Sequence, residues 1–315
     1  MERQMPSNKN ATKEAIRLLD YLCECVKQQK IITGQHTQTF DPPEIAYIKE
    51  QTGYEPKLRG FEMLAYSPNI NYEDAGEECL KEVWEDKGTL ADALSWGSDK
   101  EHIVTLSFHW FSPMYGRDKS FYAEHTEFDP ERVLTEGSPE REAFYSDMDV
   151  IAEELEKFQA ASIAVLWRPF HESDGRWFWW GSKGPKCACE LYKLMYDYYV
   201  DVKHLDNLLW VWNCAAPEGY PGDEYVDVIS RDIYMPEYKP TSYREEYEEL
   251  IANTTQNKVA ALAEVGILPD AGKLQMDHTP WAYFMAWSKE WIIGDEHNRA
   301  DRVKQLYASG LSIKL

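Results

Sequence analysis

Residues 167–181, WRPFHESDGRWFWWG, combine groups that can transfer protons with a dense set of aromatic rings. Arg168, His171 and Glu172 supply a guanidinium, an imidazole and a carboxyl within one short segment. A strand buried on both faces would not carry these three groups so close together, and a solvated loop would not carry Trp177 and the three aromatic residues that follow it. The segment therefore predicts a cleft in which charged groups lie beside aromatic walls.

A second carboxyl, that of Glu264, ends the apolar run KVAALA. Glycoside hydrolysis requires such a pair, because one acid protonates the departing sugar oxygen while the other carboxylate stabilises or attacks the anomeric carbon. A retaining enzyme holds the two carboxyls roughly 5–5.5 Å apart, where both cannot easily ionise, so the pKa of one rises and that group supplies the proton. We expect Arg168 and His171 to keep the other ionised. The other side chains that surround this pair of carboxyls are expected to be neutral, cationic or aromatic.

The aromatic residues favour a sugar as the ligand of this cleft. Indole rings bury the C–H faces of a pyranose, while histidine, arginine and asparagine bond the hydroxyls at its rim. The chain of 315 residues has twelve Trp and twenty Tyr, which is more than a core requires. We predict that Trp110, Trp177 and Trp287 are such platforms.

Eight short apolar runs, separated by amphipathic helical patterns or loops, predict the elements that position these residues. Most of the runs begin with continuous apolar residues, as parallel strands buried on both faces do. A strand–helix unit repeated eight times predicts an α/β fold, the (β/α)8 or TIM barrel, and we expect one domain over residues 1–315. The runs are KIITGQH (30–36), PKLRGFEM (56–63), HIVTLSFHW (102–110), SIAVLWRPFHE (162–172), NLLWVWNC (207–214), VDVISRDIY (226–234), KVAALAEVG (258–266) and WAYFMAWS (281–288).

Each apolar run becomes polar or aromatic only at its C-terminal end. In a barrel of parallel strands all of these ends open on one face, where active sites lie. We therefore expect residues far apart in the sequence, such as His109, Arg168, Tyr234 and Glu264, to converge on one mouth. The long segment 111–140, which follows the third run, is predicted to be a loop that carries function.

Charge and composition limit the partners of the protein. Acidic residues outnumber basic ones by 55 to 33, a net charge of -22 that repels nucleic acid and anionic membranes but is compatible with a neutral ligand. Nowhere are eighteen consecutive residues apolar, so we expect no membrane-spanning segment. We expect a monomer that binds no cofactor.

The cysteines and the N-terminus bear on the compartment. Two pairs, Cys23–Cys25 and Cys187–Cys189, have C-x-C spacing, which suits neither a disulfide nor a zinc site. We expect unliganded thiols, and we expect no metal site. Because the N-terminus has no signal-peptide pattern, we expect a cytoplasmic protein, or a secreted one if a leader has been removed.

The segment RPFHESDGRWFWWG resembles the acid/base segment of glycoside hydrolase family 26, whose members are mostly endo-β-1,4-mannanases. The family pattern is Arg-Pro-x-His-Glu, two polar residues, Gly, x, then Trp-Phe-Trp-Trp. AEVG resembles the nucleophile strand of the family, and TGQH, SFHW, DIY and YFMAW resemble further family segments, so the resemblance extends from residue 30 to 290. One departure is ESDG, where mannanases commonly have EMNG, and it leaves substrate preference open.

The resemblance implies a role for each candidate residue. Glu172 would be the general acid/base and Glu264 the nucleophile of a retaining, double-displacement mechanism. His171, Arg168 and Tyr234 would hold the geometry and charge of the nucleophile. His109 would bond the sugar under attack, Trp287 would form its floor and Trp177 would lie near the cleavage point. The implied substrate is a β-mannan polysaccharide or oligosaccharide, namely mannan, glucomannan or galactomannan.

Several alternatives remain open at this point. The family also contains enzymes that act on mixed-linkage β-glucan and on β-1,3-xylan, and endo or exo action is undecided. A metal-dependent barrel hydrolase would use His109, His171, Glu172, Asp232 and Glu264 as ligands, although the tryptophans would serve no metal. A non-catalytic carbohydrate-binding protein would use the aromatic cleft but would have no need for an acid pair.

Overall fold

The fold is a closed barrel of parallel strands in the computed structural model, which describes residues 4–38 and 41–315. Strands β1 to β8 pair in chain order, and β1 pairs with both β8 and β2 to close the barrel. The predicted (β/α)8 architecture is confirmed, while residues 1–3 and 39–40 of the predicted domain lie outside the described residues. The strands are β1 (Ile31–Thr37), β2 (Leu58–Glu62), β3 (Ile103–Ser107), β4 (Val165–Arg168), β5 (Leu208–Asn213), β6 (Val228–Ile233), β7 (Val259–Val265), β8 (Tyr283–Ala286) and the short β9 (Ser312–Ile313), which pairs with β1.

Helices surround the barrel and connect most of its strands. None of the helices in the described residues is long and apolar enough to cross a bilayer. The six cysteines are buried free thiols, as predicted. The helices are α1 (Lys13–Lys27), α2 (Pro43–Thr52), α3 (Glu77–Glu85), α4 (Thr89–Gly97), α5 (Pro130–Val133), α6 (Pro139–Ala160), α7 (Pro185–Asp197), α8 (Arg244–Ile251), α9 (Ala271–Asp277) and α10 (Ala300–Ala308).

Helix α1 precedes the barrel and covers its N-terminal end. The hydroxyl of Thr12 accepts a hydrogen bond from the backbone N–H of Ala15 and so caps the start of the helix. The buried side chains of Leu19 and Leu22 share one apolar cluster with residues near the start of the strands, such as Ile32 in β1. Apolar packing therefore fills this end of the barrel, whereas the polar ends of the strands lie at the C-terminal mouth.

The connection between β5 and β6 differs from the expected repeat. In the described residues this segment contains a 3₁₀ turn, Pro217–Gly219, and no α-helix. Two prolines, Pro217 and Pro221, with Gly219 and Gly222, lie close together here, and neither residue type sustains a helix. The expectation of a helix after every strand is therefore wrong at this position, although the barrel still closes.

The predicted long loop after β3 is confirmed over most of its length. It contains a 3₁₀ turn, Ala123–His125, and the short helix α5 before α6 begins at Pro139. Tyr122 forms an antiparallel bridge with Phe178, and the two rings stack with centroids 5.6 Å apart. The loop is thereby packed against the aromatic segment that follows Glu172.

Candidate active site

Three carboxyl groups meet at the C-terminal mouth of the barrel. Asp232 lies in β6, Glu264 lies in β7, and Glu172 lies in the segment that follows β4. One carboxylate oxygen of each lies within 4.8 Å of the other two. The predicted pair Glu172 and Glu264 is thus brought together with a third carboxyl, that of Asp232, which the sequence had suggested only as a possible metal ligand. The expectation that the other groups are neutral, cationic or aromatic is wrong for this reason.

The carboxylate of Glu264 is held on both oxygens. The guanidinium of Arg168, the last residue of β4, donates to Oε1 of Glu264, and its Nη1 donates to Oδ2 of Asp232 at 2.6 Å. The hydroxyl of Tyr234 donates to Oε2 of Glu264 at 2.7 Å. Arg168 is buried between two buried carboxylates, so its positive charge lies where it stabilises negative charge most strongly.

The carboxyl of Glu172 has different surroundings. Its Oε2 accepts a hydrogen bond from the indole N–H of Trp177 at 2.8 Å, and its backbone N–H donates to Oδ1 of Asn213 at 2.7 Å. Burial, and next the nearby charge of Glu264, raise the pKa of Glu172 to about 7. A carboxyl with this pKa carries a proton in a large share of molecules at neutral pH.

The backbone at Glu172 is strained. Its φ is 52° and that of Phe170 is 49°, which is the left-handed region that non-glycine residues rarely adopt. Such residues persist where the surrounding structure holds them, and they cluster at functional sites. Here the bond from the Glu172 backbone to Asn213 in β5 ties the strained turn to a neighbouring strand.

The carboxyl of Asp232 lies between the guanidinium of Arg168 and the side-chain amide of Asn213. Its Oδ1 accepts a hydrogen bond from Nδ2 of Asn213 at 2.8 Å, while Oδ2 pairs with Arg168. Burial raises the pKa of Asp232 well above its usual range, Arg168 opposes that shift, and the charges of Glu264 and Glu172 add to it. Asn213 therefore links Asp232 to the backbone of Glu172.

His109 and His171 form a pair beside the carboxyl groups. Nδ1 of His109 lies 2.9 Å from Oε2 of Glu62, and its Nε2 lies 3.2 Å from Nε2 of His171. Burial lowers the pKa of His109, but the charge and hydrogen bond of Glu62 and the charge of Glu264 together outweigh it, and the net pKa is raised. Burial and the neighbouring His109 lower the pKa of His171 well below its usual range. These directions favour His109 as the donor and neutral His171 as the acceptor.

The prediction that His171 holds Glu264 is corrected by this pairing. The ring of His171 bonds to His109, whereas Arg168 and Tyr234 bond Glu264 directly. The backbone of His171 adopts the turn that leads to Glu172, and its carbonyl accepts a hydrogen bond from the indole of Trp180 at 2.8 Å. This geometry directs the imidazole toward the histidine that follows β3.

Two of the three predicted tryptophan platforms lie at the mouth. Trp177 is 50% exposed beside Glu172. Trp287 follows β8, lines a cavity with His109, and stacks on the buried ring of His36 with centroids 3.9 Å apart. Both indoles can therefore present a face to a ligand in the mouth.

Trp110 does not reach the mouth, and the prediction that it binds sugar is wrong. It is 2% exposed, its indole N–H donates to Oδ2 of Asp147 at 2.7 Å, and its ring stacks on Phe144 of α6. Successive side chains in an extended chain point to opposite sides. Because His109 faces the mouth, the next residue faces the helices.

Three polar residues of the site were not predicted to take part in hydrolysis, although one signal marks them all, and Asp232 was named only as a possible metal ligand. Glu62 ends β2, Asn213 ends β5 and Asp232 is the penultimate residue of β6. The same rule that selected Glu264, a polar residue at the C-terminal end of an apolar strand, applies to each. Glu62 holds His109 through its backbone as well, since the N–H of His109 donates to Oε1 at 2.7 Å.

Two cavities flank the carboxyl groups. The larger, of about 250 Å³, is lined by His109, Trp287 and residues near the ends of β2 and β8. The smaller, of about 50 Å³, is lined by Glu172, Asp232 and Asn213 with polar residues at its rim. A chain ligand that enters both cavities would pass Glu172 and Asp232, which line the smaller one.

Three carboxyl groups this close together could also bind a metal ion, but their surroundings favour the guanidinium of Arg168 instead. The guanidinium of Arg168 contacts two of the three, Asp232 and Glu264, and already supplies the positive charge that a metal ion would bring. A divalent ion between the three would face this guanidinium at close range, where like charges repel. The donor set therefore fits Arg168 better than a metal.

A (β/α)8 barrel with clustered carboxyls and exposed indoles at its C-terminal mouth defines the class of the protein, the carbohydrate-active barrels. Residues 7–314 match the sequence profile described as glycosyl hydrolase family 26. The chain belongs to this family, as the resemblance implied.

Similar proteins cover the whole chain. It is 33% identical over 317 residues to the mannan endo-1,4-beta-mannosidase of Thermothelomyces thermophilus, an alignment that spans 98% of this chain and 62% of that protein. The chain thus spans about three fifths of the length of this relative. The crystal structure of a GH26-CBM35 beta-(1,4)-mannanase of Podospora anserina has a TM-score of 0.87 and 31% identity, over 100% of this chain and 68% of that one.

A third similar protein has been solved with a bound carbohydrate. It is a beta-mannanase from a symbiotic protist of the termite Reticulitermes speratus, complexed with gluco-manno-oligosaccharide. The TM-score is 0.84 with 28% identity, over 98% of this chain and 96% of that one.

Proposed function

We propose that this protein is a retaining glycoside hydrolase that cleaves internal β-1,4-mannosidic bonds, with Glu172 as acid/base and Glu264 as nucleophile. The observation that carries the proposal is the separation of these two groups, whose nearest oxygens lie within 4.8 Å. Inverting enzymes keep their carboxyls roughly 6.5–9.5 Å apart to leave room for a water, whereas retaining enzymes hold them roughly 5–5.5 Å apart.

In the first step, Glu264 attacks the anomeric carbon and Glu172 protonates the departing oxygen. The bond between that oxygen and the anomeric carbon breaks, and its electron pair stays with the oxygen, while a carboxylate oxygen of Glu264 forms the new bond. The hydrogen bonds from Arg168 and Tyr234 hold Glu264 in place for this attack. The pKa of Glu172, raised to about 7, leaves it protonated often enough to act as the acid.

In the second step, the deprotonated Glu172 takes a proton from a water that attacks the same carbon. The bond to Glu264 breaks, and the two inversions together retain the configuration. Glu172 is then protonated again, so both carboxyl groups return to their starting states. The two-step mechanism therefore uses one carboxyl as acid and base, and this role requires a pKa near the working pH.

The remaining mouth residues are proposed to bind the sugar chain. His109 bonds the sugar under attack, Trp287 lies beneath it, and Trp177 lies near the bond that is cleaved. Mannan as the substrate is supported by the names of the similar proteins, which are mannan endo-1,4-beta-mannosidase and beta-mannanase. A neutral polysaccharide also suits a protein whose net charge is -22.

The proposal is tested first with the unchanged protein. It is incubated with mannan, glucomannan, mixed-linkage β-glucan and β-1,3-xylan, with and without a strong chelator, and the products are separated by chromatography. We expect internal cleavage of mannan that the chelator does not affect, and a β-anomer as the first product by NMR. Binding of mannan without release of reducing sugar would instead support a non-catalytic carbohydrate-binding protein, and an α-anomer would exclude retention.

The nucleophile is tested by Glu264→Ala. We expect kcat to fall by several orders of magnitude with a modest change in binding, because the bond-forming group is removed. Steady-state kinetics on mannan and calorimetric binding of a mannooligosaccharide measure the two effects separately. Glu153→Ala, on the exposed side of α6, is the matched control and should leave both unchanged. A loss of less than about tenfold in Glu264→Ala would contradict the assignment.

A further inference from the structure

The indole of Trp177 contacts the acid/base carboxyl from an exposed position. Its N–H donates to Oε2 of Glu172 at 2.8 Å, although the residue is 50% exposed. An exposed side chain samples several rotamers, so a bond made by one rotamer requires surroundings that favour it. Gly175, two residues earlier in the chain, lies directly against this indole.

Gly175 leaves open the space that the indole fills. A Cβ atom at position 175 would lie 2.5 Å from Cε2 of Trp177, the ring carbon bonded to the N–H, and closer still to Cζ2 and Cη2. Carbon atoms in ordinary contact are roughly 3.5–4.0 Å apart. Even the side chain of alanine would therefore exclude the indole from the place in which it reaches Glu172.

The turn that contains Gly175 is held on several sides. The N–H of Gly175 donates to the carbonyl of Glu172 at 2.9 Å, and the hydroxyl of Ser173 donates to the carbonyl of Asn213 at 3.3 Å. Gly181 lies so close to the carbonyl oxygen of Gly175 that a Cβ there would overlap it. A clash at position 175 would therefore be relieved by the half-exposed indole, which can rotate toward solvent, and not by the backbone.

The backbone conformation is not what requires glycine at this position. The φ of Gly175 lies outside the left-handed region, so the backbone itself would accept another residue. The indole of Trp177 is therefore the group that a side chain at position 175 would displace.

We propose that Gly175 is a positioning residue, whose missing side chain lets the indole of Trp177 lie across the turn and donate to the carboxyl of Glu172. This inference rests on the proposed function, in which that carboxyl is the acid/base. Gly175 acts only through Trp177 in this role. The spacing of Glu172, Gly175 and Trp177 then has a physical reason, because the carboxyl, the space and the donor belong to one turn.

The bond from Trp177 opposes the other main influences on the acid/base carboxyl. Burial and next the charge of Glu264 raise the pKa of Glu172, whereas the indole bond lowers it. An indole N–H only donates, so it stabilises the carboxylate and its loss should raise the pKa. Gly175→Ala replaces none of the other titratable or charged groups near this carboxyl, which are Arg168, His109, Asp232, Tyr122, Tyr234, Asp174 and Arg231.

The test measures the pKa of Glu172 by carbon NMR of the side-chain carboxyls in glutamate-labelled protein, with the signal assigned by its absence in Glu172→Gln. In Gly175→Ala we expect this pKa to rise by roughly 0.5 to 1, because the bond from the indole is lost. The alkaline decline of kcat/KM on mannan should move to higher pH by the same amount. Gly310→Ala, at a position where a Cβ would meet nothing within 4 Å, is the matched control and should change neither.

A double variant separates the indole from the turn. Trp177→Phe removes the N–H and shortens the ring, so that the edge over Gly175 is lost. Gly175→Ala added to Trp177→Phe should therefore leave the pKa of Glu172 where Trp177→Phe alone puts it. If glycine were needed only for the structure of the turn, the effect of Gly175→Ala would not depend on the residue at position 177.

Each outcome decides the inference. An unchanged pKa of Glu172 in folded Gly175→Ala would overturn it, and so would a rise of the same size when Gly175→Ala is added to Trp177→Phe. If Gly175→Ala does not fold, melting temperatures decide: recovery of the fold by added Trp177→Phe supports the inference, and no recovery overturns it. If the unchanged protein hydrolyses no glycan, the proposed function fails instead, and the NMR titration still decides the role of Gly175.

Discussion

Glu172 and Glu264 are the same residue type within one site, yet their surroundings differ in almost every respect. Glu264 lies within a regular strand, and Arg168 and Tyr234 hold both of its oxygens. Glu172 lies on a turn with a left-handed backbone, and Trp177 donates the hydrogen bond to its carboxyl. One carboxyl is thus held by a buried positive charge, whereas the other is buried beside negative ones.

This difference shows how two identical side chains can take opposite roles. Burial and the charge of Glu264 raise the pKa of Glu172 to about 7, which favours the protonated acid. The direct bonds from Arg168 and Tyr234 hold both oxygens of Glu264 and so position it as the attacking group. The assignment of roles therefore depends on the partners of each carboxyl, and variants that change those partners test it.

Among the changes to Glu172 and to the partners of the two glutamates, the largest effect is expected from removing the acid itself. In Glu172→Ala, kcat on mannan should fall roughly 10²- to 10⁴-fold, because the leaving oxygen is no longer protonated. The first step should be far less affected with an aryl glycoside whose leaving group needs no proton. Pre-steady-state release of the aryl group measures that step, and the exposed Glu218→Ala is the control. Equal losses of activity on mannan and on the aryl glycoside would contradict the role of Glu172 as the acid.

Glu172→Ala should also change how activity depends on pH. Glu172 acts as an acid only when protonated, so the activity of the unchanged protein should fall as pH rises through about 7, the pKa of this group. In Glu172→Ala the decline on the alkaline side should disappear for an aryl glycoside. A profile of kcat/KM against pH measures it, and an alkaline decline that persists in the variant would assign it to another group.

A smaller effect is expected from removing one hydrogen bond to the carboxylate of Glu264. Tyr234→Phe removes the hydrogen bond of 2.7 Å to Oε2 while Arg168 still holds Oε1. We expect kcat/KM to fall roughly ten- to a hundredfold, the effect of one hydrogen bond to a charged group. The loss should be similar for mannan and for an aryl glycoside, since the nucleophile acts on both. Tyr238→Phe is the control, and a loss limited to mannan would place Tyr234 with the acid instead.

The smallest effect is expected at the partner of Glu172. Trp177→Phe keeps an aromatic face but removes the N–H that donates to Oε2 of Glu172 at 2.8 Å. This bond lowers the pKa of Glu172, so its loss should raise that pKa and move the alkaline decline of activity to higher pH. The exposed Trp84→Phe on α3 is the control, with no change in the pH profile. A decline that moves to lower pH in Trp177→Phe would contradict the role of the indole.

The apolar pattern of the sequence predicted the barrel because buried parallel strands are apolar along their whole length. The strand containing AEV was predicted in this way, and Glu264 is placed within it. The expectation of a helix after every strand was wrong at Pro217–Gly219, where prolines and glycines prevent a helix. The prediction that Trp110 binds sugar was also wrong, because residue type does not determine which side of the chain a side chain faces beyond the end of a strand. Asp232 was suggested only as a possible metal ligand, although it lies near the end of a strand as Glu264 does.

The sequence by itself determined the strand order, the mouth at which the polar ends meet and the chemical groups available there, since apolar periodicity and the residues that end each strand are local properties. The tertiary structure alone decided which group holds which. Arg168 reaches Asp232 and Glu264 because β4, β6 and β7 curve around one closed barrel. The turn at Glu172 is held by Asn213 of another strand. Such contacts depend on the register and closure of distant strands, and no local pattern encodes them.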